Sequence, residues 1–218
     1  MDLPETQLEV AMKLGSAPAG RSRPAGRGPK VRATILAATL AELTESGYAA
    51  LTVGNVARRS GVHKTTIYRR WKDREALVAD AFTNLLATRG GAIADTGDIG
   101  ADLRGIARSL VTWLTSPIGK AVLAALMSDA ARIPEIADVQ RRFFEYYFRR
   151  AEPVISGAIA RGELPAATDP DELVRTLIAP IHLRFLVTGE PIDETIADNA
   201  AKVALAAARA GALSSAPA

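Results

Sequence analysis

No cysteine occurs in this chain, histidine occurs twice, and aromatic residues make up only 5% of it. Each shortage removes a class of explanation. Without thiols there is no disulfide framework and no thiolate nucleophile, and a reducing compartment imposes no strain. His63 and His182 fall in different regions, so no pair has the spacing of a zinc site. No glycine-rich loop follows a strand-like segment in the manner of a phosphate cradle, and no cofactor is expected. Few aromatics against abundant alanine favour close-packed helices over sheet. No stretch approaches the roughly 20 consecutive apolar residues that span a bilayer. The N-terminal segment carries Asp2, Glu5 and Glu9 and no unbroken apolar run, unlike a secretory signal. The expectation is a soluble, cytoplasmic protein with no membrane partner.

What is present is 48% hydrophobic and 23% charged over 218 residues, a globular composition long enough to bury a sizeable core. The net charge of +3 conceals an asymmetry. Residues 1–90 hold 14 Lys and Arg against 8 Asp and Glu, whereas residues 91–218 hold 13 against 16. A basic first part on a mildly acidic remainder implies that only the first part meets a polyanion.

Residues 1–28 are rich in glycine and proline and poor in large apolar residues after Leu14, so disorder is expected there. Their second half carries Arg21, Arg23 and Arg27, leading into Lys30 and Arg32. It is either a solvated tail or a basic arm that orders along a minor groove. A first helix begins near Pro29, with Val31, Ile35, Leu36, Leu40 and Leu43 on one face, and ends at Gly47. Thr52 is the N-cap of a short helix over Val53 to Ser60, Gly61 makes the turn, and the next helix runs from about Lys64 to Trp71. Asp73 caps a fourth helix that frays near Gly90-Gly91. Residues 92–100 form a loop. Further helices are expected up to Pro117, over 118–131, from Pro134 to Arg161 with a bend or relay at Pro153, over 170–188 and over about 192–210. The fold class is therefore all-α with about nine helices. Residues 29–75 make a three-helix unit, 76–211 a helical second domain, and 212–218 a loose tail.

The stretch LTVGNVARRSGVHKTTIYRRWKDREAL, residues 51–77, organises the rest. Two helices crossing at a wide angle need a small residue where they meet and a glycine where the chain turns; Ala57 and Gly61 supply both. Val56, Val62 and Ile67 bury the inner faces. His63, Lys64, Thr65, Thr66, Tyr68, Arg69 and Arg70 then form an outer face that is cationic and rich in donors, as suits a helix in a major groove. A solvated basic face accounts for the charges alone, but not for the charges together with the turn and the apolar spacing.

These residues resemble the DNA-binding signature of the TetR family of transcriptional regulators. The matching positions are Gly61, Val62, Thr66, Ile67, Tyr68, Trp71, Arg74, Glu75 and Leu77, preceded by Glu45-Ser46-Gly47-Tyr48, Leu51-Thr52 and Val56-Ala57. The likeness covers roughly residues 29–78. It implies phosphate contacts from Thr52, Thr66, Tyr68 and Arg74, and base contacts from some of His63, Lys64, Thr65 and Arg70. Outside the likeness, the charge and position of the basic arm make Arg23 and Arg27 its candidates to reach DNA. Tyr68 is alternatively a core tyrosine with a wet hydroxyl. His63 and Thr65 depart from the residues common in the family, and both lie where bases are read.

The resemblance further implies that the second domain dimerises and holds a small-molecule effector. The run Arg161-Gly162-Glu163-Leu164 and the stretch TLIAPIHLRFLVTGEPID are similar to one class of these C-terminal domains. Leu177 and Ile181, with Ala200, Val203, Ala204 and Ala207 on the last helix, are the expected dimer contacts; the alternative is that both helices are ordinary core. Trp113, Met127, Phe144, Tyr147, His182 and Phe185 are the candidates to line an effector cavity, against plain core packing for each. Arg184 meets an anionic effector or sits at a helix surface.

The expected function is a homodimeric repressor that binds a palindromic double-stranded DNA operator and is released by a small molecule. The alternatives are a DNA-binding protein without an effector pocket, or an enzyme with its catalytic domain in residues 91–218.

Overall fold

Gly47 and Gly61 shape the first third of the chain. In the computed structural model, which describes residues 27–88, 93–127 and 133–214, α1 spans Arg27–Ala50 and is broken at Gly47, where φ is 75° and ψ 170°. That left-handed backbone suits glycine and turns the chain so that Leu51 is buried behind the break. Helix α2, Val53–Ser60, starts as expected at Thr52, whose hydroxyl accepts the Asn55 N–H at 3.1 Å. It stops at Gly61, φ 67°, in the left-handed cap conformation. Helix α3, Lys64–Tyr68, is three residues shorter than the expected run to Trp71. Its last turn winds into Arg69 and Arg70 because the indole of Trp71 is drawn into the core.

Helix α4, Arg74–Thr88, is capped by Asp73, whose Oδ1 accepts the Ala76 N–H at 2.7 Å. Helix α5, Ile99–Thr115, begins inside the expected loop, because Asp98 accepts from the N–H groups of Gly100 and Ala101 and nucleates it there. Helix α6 spans Pro117–Leu126 and α7 spans Pro134–Ala160. Pro153 lies inside α7 without ending it; the carbonyl left without its donor is that of Arg149, an exposed position. Helix α8, Pro170–Leu183, runs on into a wider π-type turn over Arg184–Thr188, and α9 is Glu194–Arg209. The tail expected to be loose from residue 212 is tied down at its start: the Asp169 N–H donates to the Leu213 carbonyl at 2.8 Å.

Two packing groups result. Helix α1 lies against α2, α4 and α6, while α5 packs chiefly on α9 and α8 on both α9 and α7. Helix α4 belongs to both groups, since it contacts α1 at one side and α7 at the other. Among the described residues no single helix is long and apolar enough to cross a membrane. Arg23, the rest of the arm up to residue 26, the fraying point at Gly90-Gly91 and the 128–131 end of the sixth helix lie outside the described residues, as does the side chain of Arg27.

Candidate nucleic-acid interface

The turn at Gly61 delivers α3 with Ile67 buried inward and His63, Lys64, Thr65 and Tyr68 exposed outward. Tyr68 is 53% exposed, so the core-tyrosine alternative does not hold. Thr66 is half-buried beside them. His63 precedes the helix in extended conformation and makes no side-chain cap, which leaves its imidazole on the outer face.

Lys64 bends back across α2. A Cβ placed on Gly54 would stand 3.1 Å from both Cε and Nζ of Lys64 and 3.6 Å from the Thr52 hydroxyl. Ammonium, hydroxyl and the unpaired N–H groups of the first turn of α2 therefore gather at one corner, an arrangement that attracts a phosphate. Sequence alone identifies Lys64 and Thr52 separately; that Gly54 exists to let them meet becomes visible only in three dimensions.

Two arginines expected at the interface are engaged with other parts of the chain. Arg74 lies over the Tyr48 ring at 4.7 Å, donates to Glu75 at 2.9 Å and reaches the Leu51 carbonyl at 3.4 Å. It clamps the α1–α2 corner onto the start of α4 rather than presenting a free guanidinium to phosphate. Arg70 donates to the Gly28 carbonyl at 3.2 Å and lies 5.9 Å from the Trp71 ring, so it holds the start of α1 beside α3.

The three-helix unit is braced by ion pairs that sequence reading did not single out. Arg59 bridges from α2 to Glu42 and Glu45 on α1. Arg32 and the Trp71 indole converge on Asp80 of α4. Lys72 reaches Glu135 at the head of α7 at 2.6 Å, and this ammonium holds the Glu135 carboxyl below the usual carboxylate range. On exposed side chains such a pair contributes little to stability, but it records which surfaces face each other.

In the second packing group a cavity of about 540 Å³ opens between α5, α7 and the chain at Ile93, Ala94 and Thr96. Of the six expected lining residues it contains Tyr147; Trp113 lines a separate, shallower hollow with Leu85 and Ile118. The others are placed differently. Phe144 lies edge-on to Phe143 and 5.9 Å from the His182 ring, Phe185 is half-buried against the core, and Met127 is exposed at the end of α6. The aromatic run wraps around α7, so its members face different neighbours: Phe143 packs on Trp113 at 5.0 Å, while Tyr146 and Tyr147 turn to the cavity. His182 donates through Nδ1 to the Ile178 carbonyl, 3.0 Å away, and burial holds its pKa below the usual histidine range.

Of the expected dimer contacts, Leu177, Ile181, Ala200 and Ala204 are buried within the protomer itself and present nothing to a second copy. A helix apolar on more than one face does not announce which face its own domain takes. The apolar surface left outside is Leu183, Leu186 and Val187 at the end of α8 and Val203 on α9, with Val187 74% and Val203 63% exposed and Ala207 half-buried beside them.

Comparison with known proteins agrees with this architecture. Residues 35–81 match the family described as bacterial regulatory proteins, tetR family, and residues 93–204 match the one described as tetracyclin repressor-like, C-terminal domain. The chain is 33% identical to the HTH-type transcriptional regulator AqdR of Rhodococcus erythropolis, over 82% of this chain and 86% of that protein. It is 31% identical to the uncharacterized HTH-type transcriptional regulator YdeS of Bacillus subtilis, over 80% of this chain and 87% of that one. The solved structure of the TetR family transcription regulator SCO0332 superposes with a TM-score of 0.65 at 30% identity, covering 81% of this chain and 97% of that chain.

Proposed function

The chain belongs to the TetR family of bacterial regulatory proteins, and from that membership we propose that it acts as a homodimeric repressor released from its operator by a small molecule. The family is one of transcriptional regulators, which removes the enzyme alternative. The observation that carries the DNA-binding part is the outer face of α3, where His63, Lys64, Thr65 and Tyr68 are all exposed and Lys64 leans on the head of α2. Thr52, Lys64 and Tyr68 hold phosphate, and His63 and Thr65 read base edges. Arg70 keeps Gly28 beside α3, which supports the basic segment before it following the same duplex.

The exposed strip of Leu183, Leu186, Val187 and Val203 supports an isologous dimer through α8 and α9. A two-fold of that kind sets two α3 helices about 34–36 Å apart on successive major grooves. The cavity beside α5 supports an effector. Five residues beyond the end of α4 the chain reaches its wall at Ile93, and the first half of α4 carries the Arg74 and Asp80 contacts that hold the DNA-binding unit. A ligand that favours one setting of α4 shifts the population away from the DNA-binding spacing. A hundredfold preference is worth about 2.7 kcal/mol.

Genome-wide mapping of bound DNA tests the reading and yields the operator. A palindromic site is expected, bound by the dimer and weakened by Lys64→Ala or Tyr68→Ala with the dimer intact. Unchanged affinity in both variants would overturn the assignment of α3.

A further inference from the structure

Asp102 is buried where its sequence position gives no reason for burial. An acidic residue in the first turn of a helix complements the dipole from the surface, yet Asp102 is only 3% exposed. Its Oδ1 accepts the Thr96 N–H at 3.0 Å and the Thr96 hydroxyl at 2.7 Å, which fixes the chain ahead of α5. Its Oδ2 is buried and has no hydrogen-bond partner among the described residues. A buried acceptor left unpaired is a standing cost that apolar packing does not offset.

Asp102 lines the 540 Å³ cavity, whose other walls are largely apolar: Ile93, Ala101, Ile106, Leu110 and the rings of Tyr146 and Tyr147. The volume is within the usual range for a small organic ligand. The other charged group on the wall, Arg150, is half-exposed, donates to the Tyr146 hydroxyl at 3.1 Å and lies over that ring at 5.1 Å. It is partnered and reaches water, whereas Oδ2 of Asp102 is buried and has no partner among the described residues. Selectivity therefore rests on Asp102.

We infer that the effector is a small molecule with an apolar body and an N–H or O–H donor, a protonated amine being the strongest case, and that this donor closes on Oδ2 of Asp102. The inference rests on reading this cavity as the effector site. A site with a buried acceptor rejects analogues that lack the donor far more sharply than apolar contacts distinguish shapes. The same carboxylate holds Thr96, so the ligand bonds one atom away from the contacts that anchor the chain arriving from α4.

The test uses the full-length protein and three probes sharing one body: 4-phenylbutylamine, 4-phenylbutanol and 4-phenylbutyrate, titrated calorimetrically. The amine is expected to bind about tenfold or more tightly than the acid, with the alcohol between them. Asp102→Asn keeps the carbonyl that Thr96 needs and turns the free oxygen into an amide donor, so the order should reverse. Gly105 lines the same cavity and a Cβ there meets nothing within 4 Å; Gly105→Leu should fold and exclude all three probes. The same affinity order in wild type and Asp102→Asn overturns the donor assignment, as does failure of every probe to bind the wild type. Probe binding unchanged by Gly105→Leu removes the ligand from this cavity. Operator binding is measured on the same samples: if it persists while the probe order fails, this inference alone falls, and if it is absent, the repressor reading falls first.

Discussion

The indole Nε1 of Trp71 donates to Oδ2 of Asp80 at 2.9 Å, and Arg32 donates to both oxygens of the same carboxylate. The residue that ends the DNA-reading segment thus hangs from the middle of α4, a helix that packs on both groups. Removing the two ends of this bond should have unequal effects. Trp71→Phe deletes a donor while Asp80 keeps Arg32, and is expected to destabilise by about 1 kcal/mol. Asp80→Ala leaves a buried indole N–H unpaired and Arg32 with only its hydrogen bond to Asn84, and is expected to cost about 2 kcal/mol. Urea denaturation of the two variants and the double mutant gives the comparison; equal losses would show that the bond does not brace the segment.

Gly54 allows a separation of stability from binding. Replacing it with alanine places a Cβ 3.1 Å from the end of Lys64, a flexible side chain that can swing away at little cost. Alanine favours the helix by up to about 1 kcal/mol over glycine. Gly54→Ala is therefore expected to leave the melting temperature unchanged or raised while operator affinity falls, with the salt dependence of binding losing about one phosphate contact. A variant that binds DNA as well as the wild type, with the same salt slope, would mean that Lys64 does not work from that corner.

The two halves of the molecule were not equally legible in the sequence. Thr52, Gly61, Asp73 and the apolar spacing around them report local backbone geometry, and each local signal agrees with the fold that contains it. The engagement of Arg74 by Tyr48 and Glu75, and of Arg70 by Gly28, depends on where the chain returns, and a cationic side chain looks the same whether its partner is phosphate or protein. Asp102 was hidden for a related reason: in sequence it is an ordinary first-turn carboxylate. The faces of α8 and α9 were ambiguous because both helices are apolar over more than the width one core needs, and only packing shows that Leu177 and Ala204 are already covered.

That distinction yields the third prediction. Val187→Glu and Val203→Glu alter side chains that are mostly in water in the single chain, so the folded protomer should survive. Paired across a two-fold, each places two unpaired carboxylates in an apolar interface, and sedimentation should show a shift toward monomer together with loss of operator binding. Leu177→Glu, by contrast, buries a charge inside the protomer and should unfold it. Dimers of wild-type strength in both surface variants would place the interface elsewhere.

His182 gives the fold a dependence on pH. Burial disfavours its charged form, only partly offset by the hydrogen bond to the Ile178 carbonyl, so its pKa in the folded protein lies below that of the unfolded chain. With Nδ1 donating to that carbonyl the neutral ring leaves Nε2 as a lone pair in a buried place beside Phe144. Between the two pKa values the unfolded chain binds the extra proton and the folded chain does not. The contribution is fully present above the unfolded histidine value, near 6.5, and is lost as pH falls through that value toward the folded one. Stability should therefore decline on acidification from about pH 7 to pH 5. His182→Gln, which retains a side-chain amide donor but cannot titrate, should flatten that decline relative to wild type in denaturation curves taken across the range. The same slope in both proteins would show that His182 is not the group behind the decline.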